Sequence, residues 1–145
     1  MAILNFYGAS SGGGSGEVGP FGFTYLGAFP QSTTDDLYIV DGSVDFHKML
    51  ADGSITRFYI YTSDPRTAGT LSAKITKNGA PLTGALDLLL DGTNPQEQLA
   101  TVAASTAPYT FVQTDNLGVQ LQSDGTWAPN TGITVVISAV LWVQL

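Results

Sequence analysis

Residues 52–84 read DGSITRFYIYTSDPRTAGTLSAKITKNGAPLTG, and this stretch decides the fold class. Within it, positions 55–61 (ITRFYIY) are rich in aromatic and β-branched side chains, which favour strands. Turn-forming residues stand on both sides of this run, Asp52-Gly53 before it and Ser63-Asp64-Pro65 after it. The stretch therefore begins with a short strand bounded by turns.

A second strand is predicted in the same stretch, at positions 71–76. Its apolar residues alternate with polar ones, and the run ends at Asn78-Gly79, a strong signal for a tight hairpin turn. We expect the next apolar run, 82–90, to pair back antiparallel onto this strand.

The rest of the chain repeats short strands and turns, roughly every 8–12 positions. In positions 133–145 every odd residue is apolar, which predicts a strand buried on one face and partly covered on the other. Positions 117–122 also alternate and stop at Asp124-Gly125. Weaker strand candidates are 23–26, 37–40 and 109–114. We predict an all-β fold, an antiparallel two-sheet sandwich that is jelly-roll-like, with a small Greek-key barrel as the alternative.

Two segments fit either a helix or a strand. Positions 94–97 (NPQE) combine a helix-capping residue, a proline at the first helical position and a glutamate, so 95–104 could form a short helix. The alternative is an edge strand at 98–102. Positions 44–51 could likewise form a single helical turn or a bent strand, and neither choice changes the fold class.

The N-terminal residues 1–20 are predicted to form a flexible arm, and residues 21–145 the sandwich domain. Positions 8–20 (GASSGGGSGEVGP) are a glycine- and serine-rich tract that cannot bury enough apolar surface to offset the entropy of ordering it. The preceding tip carries apolar side chains able to add a strand to a neighbour's sheet edge. The candidate docking residues of the tip are Ile3, Leu4, Phe6 and Tyr7.

Composition favours a protein that is packed against partners. The chain has 145 residues, of which only 12% are charged, about half the usual share. Its formal net charge of −7, with five scattered basic residues, argues against binding nucleic acid. No apolar run is long enough to insert into a membrane, and no signal-peptide pattern is present, so we expect a soluble protein made in a cytoplasm.

No motif in the sequence predicts catalysis, a cofactor or a metal site. The chain has no cysteine, and its one histidine, His47, has no second imidazole or thiolate with which to share a metal. The nucleophile elbow G-x-S-x-G of many hydrolases does not occur. Four aspartates stand in turn contexts, which favour local hydrogen bonding, with a weak calcium site as the alternative. They are Asp35, Asp36, Asp41 and Asp45.

Aromatic residues give the best candidates for a binding surface. Tyr59 and Tyr61 share one face of the 55–61 strand, opposite Phe58 and Ile60, so one of these faces should be core. With Arg57, the other face is a subunit interface or a platform that stacks on carbohydrate. Trp127 lies in a predicted loop, where it either contacts a ligand or caps one end of the sandwich.

Beyond these patterns, the chain resembles the small β-sandwich virion proteins of tailed bacteriophages. The resemblance rests on residues 52–84, on the following LDLLLDG strand and on residues 117–145 (LGVQLQSDGTWAPNTGITVVISAVLWVQL). It consists of turn and strand patterns and carries over no functional residue.

The resemblance implies a non-enzymatic structural protein of the virion. The first expectation is a capsid decoration protein that assembles as a symmetric oligomer, a trimer, and binds the major capsid protein or another virion protein. The second is a module at a head-fibre or tail tip that binds a receptor or a cell-surface glycan. A small glycan-active enzyme is the third, and it lacks a recognisable nucleophile or base.

Overall fold

The computed structural model describes residues 16–39, 44–131 and 135–145, and all of its regular elements are strands. In chain order they are β1 (Glu17–Leu26), β2 (Thr34–Asp36), β3 (Phe46–Lys48), β4 (Gly53–Thr62), β5 (Leu71–Lys77), β6 (Ala80–Pro81), β7 (Leu88–Leu90), β8 (Glu97–Thr101), β9 (Thr110–Phe111), β10 (Asn116–Ser123) and β11 (Val136–Gln144). None of the described residues forms a helix that could span a membrane.

The strands form two separate antiparallel sheets. The first has the order β1-β11-β4-β8, with β9 also paired to β4. The second has the order β2-β10-β5-β6, with β3 also paired to β10 and β7 to β5. Two separate sheets, rather than one closed sheet, make the fold a sandwich and not a barrel.

The strand order is that of a jelly roll. Three edge positions are each filled by two short strands that pair with the same neighbour. These are β2 and β3 beside β10, β6 and β7 beside β5, and β8 and β9 beside β4. Counting each interrupted pair once reduces the eleven strands to eight positions, which form one sheet in the order 1-8-3-6 and one in the order 2-7-4-5. The predicted fold class is confirmed.

The core lies between the two sheets and is built from alternating positions of the long strands. On β11, Ile137, Ala139 and Leu141 are fully buried, as the odd-position pattern predicts. On β4, Phe58 and Ile60 are fully buried and belong to the same core cluster. Burial of these side chains supplies the main driving force for bringing the sheets together.

The hairpin signal in the decisive stretch is confirmed. Asn78 and Gly79 have φ values of 52° and 83°, the left-handed conformation that a two-residue turn between right-twisted strands requires. Lys77 pairs with Ala80 directly across this turn. The strand after it is less regular than predicted: 82–90 contributes only β7, and the pairing next to the turn comes from β6.

Both ambiguous segments form strands. Residues 97–101 form the edge strand β8, and the helix alternative for 95–104 is wrong. Within 44–51, residues 46–48 form β3. The weaker candidate at 37–40 is misplaced: β2 ends at Asp36, and Tyr38 forms only an isolated bridge to Thr24.

The first sheet begins earlier than the predicted domain boundary. β1 starts at Glu17 and pairs with β11 from that residue onward, so the boundary at residue 20 falls inside a strand. The sequence did not predict this strand, because the segment is rich in glycine and because Gly19 and Pro20 interrupt its regular pairing with β11. The arm tip with Ile3, Leu4, Phe6 and Tyr7 lies outside the described residues.

Candidate interaction surface

The surface of interest is the side of the first sheet that points away from the core, called here the outer face. It carries Arg57, Tyr59 and Tyr61 of β4, while Phe58 and Ile60 point inward, as does Ile55 beyond the register shift in the pairing with β11. Strand pairing therefore brings the three predicted candidates of β4 onto one surface. The sequence left open which face of this strand packs in the core. The structure shows that it is the face with Phe58 and Ile60.

The pairing of the strands places one residue from each of β1, β11, β4 and β8 side by side in an apolar row across the outer face. Gly22 on β1 lies opposite Val140 on β11, Val140 lies opposite Tyr59 on β4, and Tyr59 lies opposite Leu99 on β8. We call these four residues the central row. Its last member, Leu99, is 53% exposed, an unusual position for a leucine at the middle of a strand.

The rows beside the central row add further aromatic and apolar surface. Thr24, Ser138, Tyr61 and Glu97 form one neighbouring row, and Tyr61 is 37% exposed. Beyond it, Leu26 at the end of β1 pairs with Val136 and is 77% exposed. The outer face is therefore rich in exposed apolar side chains in a chain that has few charges.

Glu97 is held by a tyrosine of the central row. The hydroxyl of Tyr59 donates a hydrogen bond to the Glu97 carboxylate at 2.5 Å. This bond, together with burial and the nearby carboxylate charge, raises the pKa of Tyr59 to about 12. Tyr59 therefore stays neutral and Glu97 is oriented along the sheet surface at physiological pH.

Arg57 is also held within the chain. Its guanidinium pairs with the carboxylate of Glu17 and lies over the Trp142 ring, 4.4 Å from the ring centroid. Thr56 donates a further hydrogen bond to Glu17 at 2.9 Å. Stacking on an aromatic ring and pairing with a carboxylate fix the planar guanidinium in one orientation.

Trp127 is not part of this surface. Its side chain is fully buried and belongs to the core cluster, so it presents no surface to a ligand, and the role of a cap over one end of the sandwich stays a prediction. A long-range contact accompanies this burial: at Gly69, with φ of +69°, the chain passes directly against the backbone of Trp127 and the carboxylate of Asp124. A loop context in the sequence carries no signal for that contact.

The polar candidates outside the surface have structural partners. His47 is buried and packs edge-on against Phe21 and Phe23, consistent with a core histidine. The turn predicted for Asp35 and Asp36 is wrong, because both lie in the edge strand β2, where the carboxylate of Asp35 accepts a hydrogen bond from the backbone N–H of Asp36. Asp41 lies outside the described residues. Within the described ranges, no group of three or more His, Asp or Glu residues is arranged to hold a metal ion.

The sequence did not identify several members of the outer face. Leu99 and Glu97 lie in the segment that fitted a helix as well as a strand, so their face could not be assigned. Val140 was recognised only as a residue on the partly covered face of its strand. The pairing of β4 with both β11 and β8, which links residues far apart in the chain, is what joins them.

Comparisons with known proteins give a structural likeness only. No protein-family model matches the chain, and no curated protein does. Ten chains of solved structures match it, among them one in the acidic stable capsid structure of Helicobacter pylori bacteriophage KHP30. The two chains are 12% identical, the match covers 86% of each, and the TM-score is 0.46.

Proposed function

We propose that this chain is a non-enzymatic structural protein of a bacteriophage virion, a capsid decoration protein that assembles as a symmetric oligomer on the particle. The observation that carries the proposal is the outer face, with its central row and the exposed Leu26 and Tyr61. Contiguous exposed apolar surface of this kind marks sites of protein contact.

The charges of the outer face support a protein contact. Arg57 is paired with Glu17, and Glu97 is bonded to Tyr59, so both are already engaged within the chain. When a partner covers the central row, Arg57 is therefore not left as an unpaired charge, which would be costly. Tyrosine, tryptophan and arginine are also the residues enriched in protein interfaces.

The partners that fit this surface are other virion proteins and further copies of the chain. The major capsid protein is the partner implied by the resemblance to phage decoration proteins, and the same resemblance implies a trimer. We propose that residues 1–15 act as a docking arm through Ile3, Leu4, Phe6 and Tyr7. A tether of this kind strengthens attachment by raising the local concentration of the docking segment.

One observation favours a second function, a glycan-binding module at a fibre or tail tip. Tyr61 exposes part of its ring, and the Gln96 amide donates to its hydroxyl at 3.5 Å. An aromatic ring beside an amide group suits stacking on a sugar with hydrogen bonding at its rim.

The proposed function is tested on phage particles and on the purified chain. We expect the chain in purified particles of the encoding phage, on the head and in a fixed ratio to the major capsid protein. Val140→Glu, in the central row, should reduce binding to heads that lack the chain. The control Gln122→Glu, at an exposed position on the other sheet, should bind like the unchanged protein. Absence from particles, or a location at the tail tip together with glycan binding, would contradict the proposal.

A further inference from the structure

β8 is an edge strand with an unpaired side. The N–H of Thr62 donates to the carbonyl of Gln96, and the N–H of Val102 donates to the carbonyl of Thr56, so even positions of this segment bond to β4. Hydrogen bonding in an antiparallel ladder alternates along each strand. The backbone N–H and C=O groups of Glu97, Leu99 and Thr101 therefore point away from β4, and no described residue bonds them.

The other described sheet edges carry features that prevent strand addition. β1 is interrupted at Gly19-Pro20 and is bridged at Thr24 by Tyr38. The edges of the second sheet are each broken into pieces of two or three residues, and one of them contains Pro81. Short, broken or proline-containing edges are how proteins avoid edge-to-edge pairing.

Among the interrupted edges, β8 is the longest unbroken piece, and its edge continues as the two-residue β9. Its five residues, Glu-Gln-Leu-Ala-Thr, pair with β4 without a bulge, and the segment includes neither proline nor lysine. Its middle residue, Leu99, is more than half exposed and stands at the end of the central row. An open, regular edge beside an apolar row is suited to pairing with another strand.

We propose that β8 pairs antiparallel with β8 of a second copy of this chain, about a two-fold axis centred on Leu99. The inference rests on the self-association included in the proposed function and names the contact that makes it. It joins the two first sheets into one continuous sheet of twice the width. The central rows of the two copies then meet at their leucines.

Charge and backbone chemistry select this register. With Leu99 opposite Leu99 of the second copy, each Glu97 lies opposite a Thr101, so no like charges face each other. All three outward-facing residues of each strand then take part in hydrogen bonding. Sliding the partner by two residues in one direction would bring Pro95, which has no N–H, opposite Thr101, and sliding it in the other would place Glu97 opposite Ala103, outside β8.

The symmetry of the contact has a defined consequence for the oligomer. A two-fold contact uses the same surface on both copies and closes after two of them. On its own it produces a dimer. Combined with a three-fold contact elsewhere, it produces an assembly of six copies rather than three.

Cysteine cross-linking tests the register directly, because the chain has no cysteine of its own. Leu99→Cys should form a disulfide-linked dimer under mild oxidation, about tenfold or more faster than Val112→Cys, since the paired Cα atoms would be roughly 5.5 Å apart. Val112 is a matched control with 57% exposure, compared with 53% for Leu99. Equal cross-linking rates for the two variants would overturn the inference.

A charge substitution tests the same contact without a covalent bond. Thr101→Glu places a carboxylate opposite Arg57 within the chain but opposite Glu97 of the second copy. We expect an unchanged or higher melting temperature and a dimer dissociation constant raised roughly tenfold at low salt. An unchanged dissociation constant would overturn the inference.

The same measurements separate this inference from the proposed function. If the chain self-associates but neither variant behaves as stated, the β8 contact is wrong and self-association stands. If removal of residues 2–15 abolishes self-association and Leu99→Cys does not cross-link, the arm and not β8 provides the contact. If both variants behave as stated but the chain is absent from virions, the contact stands and the proposed function is wrong.

Discussion

His47 and Gly22 join the edges of the two sheets of the sandwich by a hydrogen bond. Nε2 of His47, on β3 in the second sheet, donates to the carbonyl oxygen of Gly22, on β1 in the first, at 3.1 Å. A carbonyl only accepts, so this nitrogen carries the proton. The other ring nitrogen, Nδ1, is buried and has no partner among the described residues.

This relationship makes stability sensitive to mild acid. Burial lowers the pKa of His47 below the ordinary histidine value of about 6.5, so the unfolded chain binds a proton more readily than the folded one. The contribution of His47 to the free energy of unfolding is therefore fully present above about pH 6.5 and decreases as the pH falls below that value. We expect the melting temperature to fall between about pH 7 and pH 5, and His47→Gln, which keeps a donor, to lose that pH dependence. Thermal denaturation across this range checks it, and an identical pH profile for both proteins would contradict it.

Ile137 on β11 is expected to be essential for the fold. It is fully buried, and its strand lies between β1 and β4. Ile137→Asp would bury an unpaired charge at a cost of about 3–5 kcal/mol, a large part of the stability of a domain of this size. Chemical denaturation measures the loss. The adjacent substitution Ser138→Asp, on the outer face, should cost far less, and equal losses would mean that the assigned faces are wrong.

Gly69 should tolerate no side chain. A Cβ atom there would overlap Trp127 and Asp124, and the backbone has φ of +69°. At Gly79, φ is +83° but a Cβ atom would meet open space. We expect Gly79→Ala to cost about 1–2 kcal/mol from backbone strain alone, and Gly69→Ala to cost clearly more. Near-ultraviolet circular dichroism should show a disturbed Trp127 in the Gly69 variant only, and equal losses of stability would contradict this account.

Removal of the predicted arm should leave the sandwich intact. Because β1 begins at Glu17, the deletion must stop before that residue and covers 2–15. The melting temperature is expected to stay nearly unchanged, since no described strand is lost, while binding to phage heads weakens. Sedimentation of heads with the full and shortened chains measures this. A shortened chain that binds as tightly as the full one would show that these residues have no docking role.

Local patterns were sufficient to predict the fold class and most of the long strands. The strand at 55–61, the alternation at 71–76 and the Asn78-Gly79 turn depend on neighbouring residues, so they can be recognised in the sequence. The strand 82–90 could not be placed correctly because its length depends on pairing with β5. β8 was ambiguous because its capping-like residues satisfy helical rules locally, while pairing with β4 decides its conformation.

The candidate surface could be predicted only in part, for the same reason. Tyr59 and Tyr61 share a face by simple alternation, and the sequence identified them. Glu17, Val140 and Leu99 join that face only through pairing between strands distant in the chain. Trp127 is buried and its backbone lies directly against Gly69, a contact between distant segments that no local pattern reveals.

The position of β11 between β1 and β4 also determines the order in which the chain can fold during synthesis. β1 and β4 leave the ribosome well before the strand that pairs with both of them. Until residues 136–144 emerge, β1 and β4 lack the strand that pairs with both of them, and the apolar side chains of these strands stay exposed to solvent. Non-local pairing of this kind slows folding and exposes strands to aggregation. The first sheet can therefore be completed only after residues 136–144 have left the ribosome, and a chain interrupted before β11 should be degraded or aggregate rather than form a partial sandwich.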